Sequence, residues 1–220
     1  MKKLVLNNEE KIISKFDVIT SILNIGAGKI SPIDLGELLY PFLINLDRSY
    51  LLGEKIETIE AHHNCFNNPL KKPVDGSYSH YYRCKCDAYK FLETYYNKFD
   101  LITVYRFLEH VEYTKVPYFI YLLSQTLRKD GLLDIIVPDY YILAKMIIED
   151  DPTLDGFEAK NILLTTELLN EPHDPHASIW TVERLLYYFG LEGRFDLEKM
   201  FGNFKFDGRD IYLRAIFRRV

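Results

Sequence analysis

Cysteine is scarce in this chain, with three among 220 residues. An odd and small number in a chain of that length does not make a disulfide framework. Also missing is any uninterrupted apolar run near the ~20 residues that a membrane-spanning helix needs. The opening MKKLVLNNEE turns acidic before an apolar segment of signal-peptide length develops. Positive charge is not in excess: 27 Lys and Arg against 32 Asp and Glu leave a net charge of −5. That balance disfavours electrostatic capture of nucleic acid. The one compact basic strip, RAIFRRV at the C-terminus, reads as a solvated strand end. These absences favour a cytoplasmic protein with no membrane partner.

Aromatic side chains, by contrast, are plentiful. There are 17 Tyr and 14 Phe, within a composition that is 48% hydrophobic and 27% charged. Such a chain folds as a globular protein, and its length suits one domain, 1–220, with aromatic side chains lining a core or a cleft.

Along the chain, short apolar runs alternate with helical patterns. Asn8 followed by Glu9 and Glu10 predicts a capped helix ending near Phe16. SILNIG (21–26) and YPFLINLD (40–47) read as strands buried on both faces, the second stopping on an acid. YYRCKCD (81–87) is a third strand, and AYKFLETYY after it has helical spacing. FDLITVYRFL (99–108) opens as another buried strand. VPYFIYLLSQTLRK (116–129) predicts an amphipathic helix with Pro117 in its first turn and Arg128 and Lys129 at its negative end. Asp130-Gly131 then turns the chain into the strand LLDIIVPD (132–139). Helices follow in YYILAKMIIE and over most of 157–169, and Thr181 caps another, VERLLYYFG, that Gly190 ends. Strands near 194–200 and 211–217 close the chain. The expected fold is α/β: a Rossmann-like, doubly wound, mostly parallel seven-stranded sheet with an antiparallel C-terminal edge. The stretch 53–80, rich in Asn, Pro, His and Gly, is too long for a routine connection and reads as an insertion.

The first strand ends in ILNIGAG, so Gly26 and Gly28 lie where open α/β sheets bind ligands. A dinucleotide fingerprint needs a third glycine three residues on, where Ser31 stands. A phosphate-binding P-loop is absent as well. Asp47, 19 residues after Gly28 at the end of the second strand, can accept hydrogen bonds from both hydroxyls of a ribose. Asp87-Ala88 can hydrogen-bond an adenine amino group and close over its ring. In that order the three signals fit a nucleoside carried without phosphate. Singly each is a weak signal: the glycines also read as a tight strand-to-helix turn, and Asp47 as a simple strand terminator.

ILNIGAG, INLD, CDAYKFL, FDLITVYRFLEHV and LRKDGLLDIIVPD resemble the successive motifs of class I S-adenosylmethionine-dependent methyltransferases. The resemblance spans roughly residues 18–220 and implies S-adenosylmethionine as the cofactor. It implies that Gly26, Ala27 and Gly28 pass under the methionine part, Asp47 holds the ribose, and Asp87 and Ala88 meet the adenine. Tyr105 and Arg106, ending the fourth strand, are implied to border the cofactor and the reacting methyl. Helix A is abbreviated, and Asp130-Gly131 stands where Gly-Gly or Pro-Gly is usual.

Methyl transfer is an in-line displacement that needs alignment and, for O or N acceptors, sometimes a base. His110 is the candidate base, because neutral imidazole takes a proton near pH 7. Glu109 beside it, counted on the substrate side, orients that ring or faces the cofactor's amino group; alternatively, both residues simply start and cap the following segment. His173, His176 and Trp180 in PHDPHASIW suit a substrate wall, or else a loop with surface histidines anchored by a buried indole. His62, His63 and Cys65, with Cys84 and Cys86, offer soft ligands. Their HHxC and CxC spacing departs from zinc patterns, and no metal is expected. The expected activity is therefore methyl transfer to an O or N atom of a small molecule or glycan precursor. The alternative is a SAM-binding domain that regulates or scaffolds a partner without turnover.

Overall fold

A computed structural model of the chain describes residues 21–26, 42–47, 81–85, 87–149, 176–206 and 209–220. Several expectations fall outside them: the helix at Asn8, Ala27, Gly28, the 53–80 segment, the helix in 157–169 and His173. The candidate soft ligands His62, His63, Cys65 and Cys86 also fall outside, as do the side chains of Asp47 and Cys84. The described residues belong to two compact units, one within Met1–Thr103 and Gln125–Leu133, the other within Val104–Ser124 and Asp134–Val220.

In the first unit, β1 (Ser21–Ile25) is buried at all five positions. It pairs in parallel with β2 (Phe42–Asp47), Ile25 opposite Leu46. β2 pairs in parallel with β3 (Tyr81–Lys85), Asp47 opposite Lys85. The hydrogen-bonded order is β3-β2-β1, followed by the first parts of β4 (Phe99–Tyr105) and β5 (Leu127–Pro138). Polar groups within these buried strands are paired: Thr103 Oγ1 donates to Asn24 Oδ1 at 2.9 Å, and the Ser21 N–H to Asp100 Oδ2 at 3.0 Å. Helix α1 (Ala88–Thr94) buries Phe91 and Leu92, with the Phe91 ring 4.6 Å from that of Tyr95.

The second unit contains a 3-10 turn (Leu108–His110) and α2 (Val116–Thr126), whose last two residues belong to the first unit. It also holds α3 (Tyr140–Ile148) and α4 (Val182–Glu192). Here the later part of β5 neighbours β7 (Arg209–Arg219), and β7 pairs antiparallel with β6 (Phe195–Phe206). The sheet is thus mixed and the fold α/β. Phe189 of α4 stacks on Phe217 of β7 at 4.2 Å between ring centres and meets Phe195 edge-on at 5.4 Å.

Three local expectations are corrected. The helix expected over 116–129 stops at Thr126, and Leu127 already belongs to β5. Pairing explains this: Asn97 and Lys98 donate backbone N–H bonds to Gln125 and Thr126, and Arg128 Nη1 meets Asp100 Oδ1 at 2.8 Å. Asp130 and Gly131, expected to turn the chain into the strand, lie inside β5 instead; Asp130 has φ 62°, and a Cβ on Gly131 would come within 2.8 Å of Arg128 O. The second correction is that Gly190 lies inside α4, which ends instead at Gly193 with φ 67°. Left-handed backbone at 193, which glycine adopts without a Cβ clash, stops the helix there. Third, RAIFRRV is not wholly solvated. Residues 211–217 are all buried, so Arg214 goes with them, and Asp134 of β5 meets it bidentately at 3.0 and 2.9 Å.

Candidate functional site

In the first unit the cofactor candidates gather at strand ends. β1 stops at Ile25, and Gly26 follows with φ 78°, a conformation that L side chains rarely adopt. Because Ile25 lies opposite Leu46, Asp47 is the next residue along the same parallel edge, one strand over. Asp87 comes two residues after β3 ends. Gly26, Asp47 and Asp87 therefore stand at the C-terminal ends of three neighbouring parallel strands. The Asp87 carboxylate already caps α1, with Oδ1 accepting from the N–H of Tyr89 at 3.0 Å and of Lys90 at 3.3 Å. Ala88 beside it is buried.

In the second unit β4 ends at Tyr105, and Arg106 follows it. The Tyr105 hydroxyl donates to Asp134 Oδ2 at 2.6 Å, so its side chain belongs to the buried Asp134–Arg214 group. Burial, more than the neighbouring carboxylate, holds that phenol well above its ordinary pKa. Arg106 is exposed and has φ 52°. The other described non-glycine residues with positive φ are Asn97, Asp130 and Asn203, types that tolerate left-handed backbone. Arg106 is not such a type, and the chain turns abruptly there into the 3-10 segment.

That segment carries Glu109 and His110. Glu109 is 1% exposed, and its Oε2 has no hydrogen-bond partner among the described residues. Burial pushes its carboxyl up to about 8, against the lowering effects of its own backbone N–H and of Arg106. The His110 ring meets that of His176 edge-on, 4.9 Å between centres. His176 Nδ1 in turn contacts the Tyr140 hydroxyl. Burial is also the main cause that raises the Tyr140 phenol, with Glu109 adding to it.

Backbone bonds hold these rings together. The Glu109 carbonyl accepts from the N–H of Ala177 at 2.8 Å and of Ser178 at 2.9 Å. Ser178 Oγ donates to Leu108 O at 3.0 Å and accepts from Trp180 Nε1 at 2.9 Å. Tyr140 N–H closes the arrangement on Trp180 O at 3.1 Å. Residues 176–180 are thereby tied along the 3-10 turn. Tyr113 secures the far end: its hydroxyl donates to Ile179 O at 2.8 Å, beneath the Arg184 guanidinium at 4.9 Å from the ring.

The structure brings Glu109, His110 and His176 together, as three residues on two segments more than 60 positions apart. It corrects the substrate-wall reading of Trp180. The indole has no exposed surface and packs against Tyr188 at 5.7 Å, so it anchors the segment rather than offering a stacking face. Tyr140, Ser178, Tyr113 and Arg184 were not singled out from sequence. Only Tyr140 carried a signal there, since it opens a helix directly after the V-P-D strand end.

No protein-family description matches the chain, and no curated protein does. Solved structures do match. The N-methyltransferase NodS from Bradyrhizobium japonicum is 15% identical, with a TM-score of 0.51 over 91% of this chain and 86% of that one. A structure of NodS also exists in complex with S-adenosyl-L-homocysteine. A SAM-dependent methyltransferase from Methanosarcina mazei is 16% identical, with a TM-score of 0.55 over 91% and 92%. One from Archaeoglobus fulgidus is 14% identical at 0.50 over 91% and 86%. The chain thus has the fold of class I SAM-dependent methyltransferases, as its sequence motifs led one to expect. Among the described residues, no helix is long and apolar enough to cross a membrane.

Proposed function

We propose that this chain is a cytoplasmic SAM-dependent methyltransferase acting on an O or N atom of a small molecule or glycan precursor. The observation that carries the reading is the row of Gly26, Asp47 and Asp87 at three adjacent strand ends. It fits an adenosyl group: a glycine in left-handed backbone at the first strand end, a carboxylate one strand over for the ribose hydroxyls, and an acid beyond it for the adenine edge. Ala27, Gly28 and Ala88 complete that surface in the same reading. S-adenosylmethionine, when bound, supplies an electrophilic methyl on a sulfonium sulfur. His110 takes up the acceptor's proton on a ring nitrogen, while Glu109, His173 and His176 line the acceptor side. Arg106 and the backbone of Tyr105 border the two. The reading includes one domain over 1–220 and a doubly wound, mostly parallel seven-stranded sheet, which the hydrogen-bonded order β3-β2-β1-β4-β5-β7-β6 supports.

A non-catalytic SAM-binding role is the second reading, and the burial of Trp180 favours it by removing one acceptor wall. Cofactor class is tested first, by thermal shift with S-adenosylmethionine, S-adenosylhomocysteine and NAD. A ligand at 100 times its dissociation constant stabilises the fold by ~2.7 kcal/mol. A shift with both adenosyl compounds, none with NAD, and its loss in Asp47→Ala are expected. A shift that survives Asp47→Ala refutes the ribose assignment, and no shift at all refutes the cofactor.

A further inference from the structure

Glu109, His110 and His176 each offer one ligand atom, a carboxylate oxygen or a ring nitrogen, and these atoms all lie within 4.8 Å of one another. Nearness alone would not make a site. A second observation is the buried Glu109 carboxylate, whose Oε2 has no hydrogen-bond partner among the described residues. A buried carboxylate oxygen without a donor costs free energy that a cation would recover. A third is the Tyr140 hydroxyl on His176 Nδ1, the kind of outer contact that fixes a ligating imidazole.

We propose that Glu109, His110 and His176 form a binding site for one divalent first-row transition ion, of the zinc or cobalt kind. Two imidazole nitrogens and one carboxylate oxygen are the borderline donor set that such ions take, with further coordination positions left for water or an exogenous group. Tetrahedral coordination at ~2.0–2.1 Å puts ligand atoms about 3.3 Å apart, so the three atoms close by up to about 1.5 Å on binding. The bonds from Ala177 and Ser178 to Glu109 O tie the two backbone segments together, so that closure is left to the side-chain torsions.

Binding itself goes beyond the methyltransferase reading. Its consequence for catalysis rests on that reading: a ring nitrogen on the ion cannot also take up the acceptor's proton. The ion therefore inhibits His110-dependent transfer, and chelator restores it.

The test is titration of Co2+ into the chelator-treated full-length chain, followed by visible d–d absorption and by competition with Zn2+. One Co2+ per chain is expected, displaced by Zn2+. The band should disappear in Glu109→Gln, His110→Ala and His176→Ala, and Tyr140→Phe should weaken binding about 10- to 100-fold. A double variant, His62→Ala with His63→Ala, should keep it. Circular dichroism and the S-adenosylhomocysteine thermal shift confirm that each variant is folded. No stoichiometric band, or a band that follows His62 and His63 instead, overturns the site. A normal cobalt band without any adenosyl-ligand shift leaves the metal site standing and removes the methyltransferase reading.

Discussion

At the scale of single residues, the buried ionisable groups stand in two contrasting situations, the Asp134–Arg214 pair and Glu109. Asp134 and Arg214 are both essentially without exposure and bond twice, with the Tyr105 hydroxyl adding a third contact to the carboxylate. Removing one partner from such a pair leaves an uncompensated charge, at a cost of about 3–5 kcal/mol. Arg214→Met should therefore lower the urea midpoint severely, and Asp134→Leu combined with Arg214→Met should recover much of the loss. Equal midpoints for the single and double variants would refute the pairing. Glu109 Oε2 has no hydrogen-bond partner among the described residues, and burial raises its carboxyl from 4.5 to about 8. Between those values the folded chain keeps a proton that the unfolded chain has lost, so stability falls as pH rises across the window and levels off above it. In chelator, the fall should be on the order of a few kcal/mol, and Glu109→Gln should flatten it. Denaturation at both ends of the window measures the difference.

At the scale of elements, α4 shows how local chemistry sets boundaries. Thr181 Oγ1 accepts from Arg184 N–H at its start, and Gly193 ends it in left-handed backbone. Gly190, three residues earlier, is helical, and a Cβ there would meet nothing within 4 Å. The two glycines should then respond with opposite sign. Gly190→Ala should stabilise the chain by about 0.5–1 kcal/mol, whereas Gly193→Ala should destabilise it by about 1–2 kcal/mol. Thermal or urea denaturation of the pair decides it, and a shared sign would contradict the cap. α2 makes the complementary point. Its helical pattern runs on through Arg128 in sequence, yet Leu127–Lys129 belong to β5, where Asn97 and Lys98 bond the backbone of Gln125 and Thr126 just before it and the Arg128 side chain reaches Asp100.

At the scale of the whole molecule, a methyltransferase fold is present and turnover is the matter to measure. Incubation with methyl-labelled cofactor and a cell extract should yield labelled product, and His110→Ala should reduce it by about 10²- to 10⁴-fold, the worth of a positioned base. Undiminished labelling would remove His110 from the reaction, and no labelling with a normal adenosyl-ligand shift would favour the non-catalytic binder. Much of this was legible in the chain itself. Apolar runs at 21–25 and 99–105, the cap at Thr181 and the glycine after β1 are signals carried by neighbours in sequence, and the structure has strands, a helix start and a left-handed glycine at those places. Illegible were the contacts between distant segments. Nothing within PHDPHASIW says that its indole turns inward while His176 reaches His110, or that the arginine of RAIFRRV is neutralised 80 residues away. Periodicity, capping and turn chemistry act over a few residues, so the sequence determined the order and type of the elements. Which polar groups are buried, and beside what, depends on surfaces that exist only once those elements have packed, and the tertiary structure alone decided it.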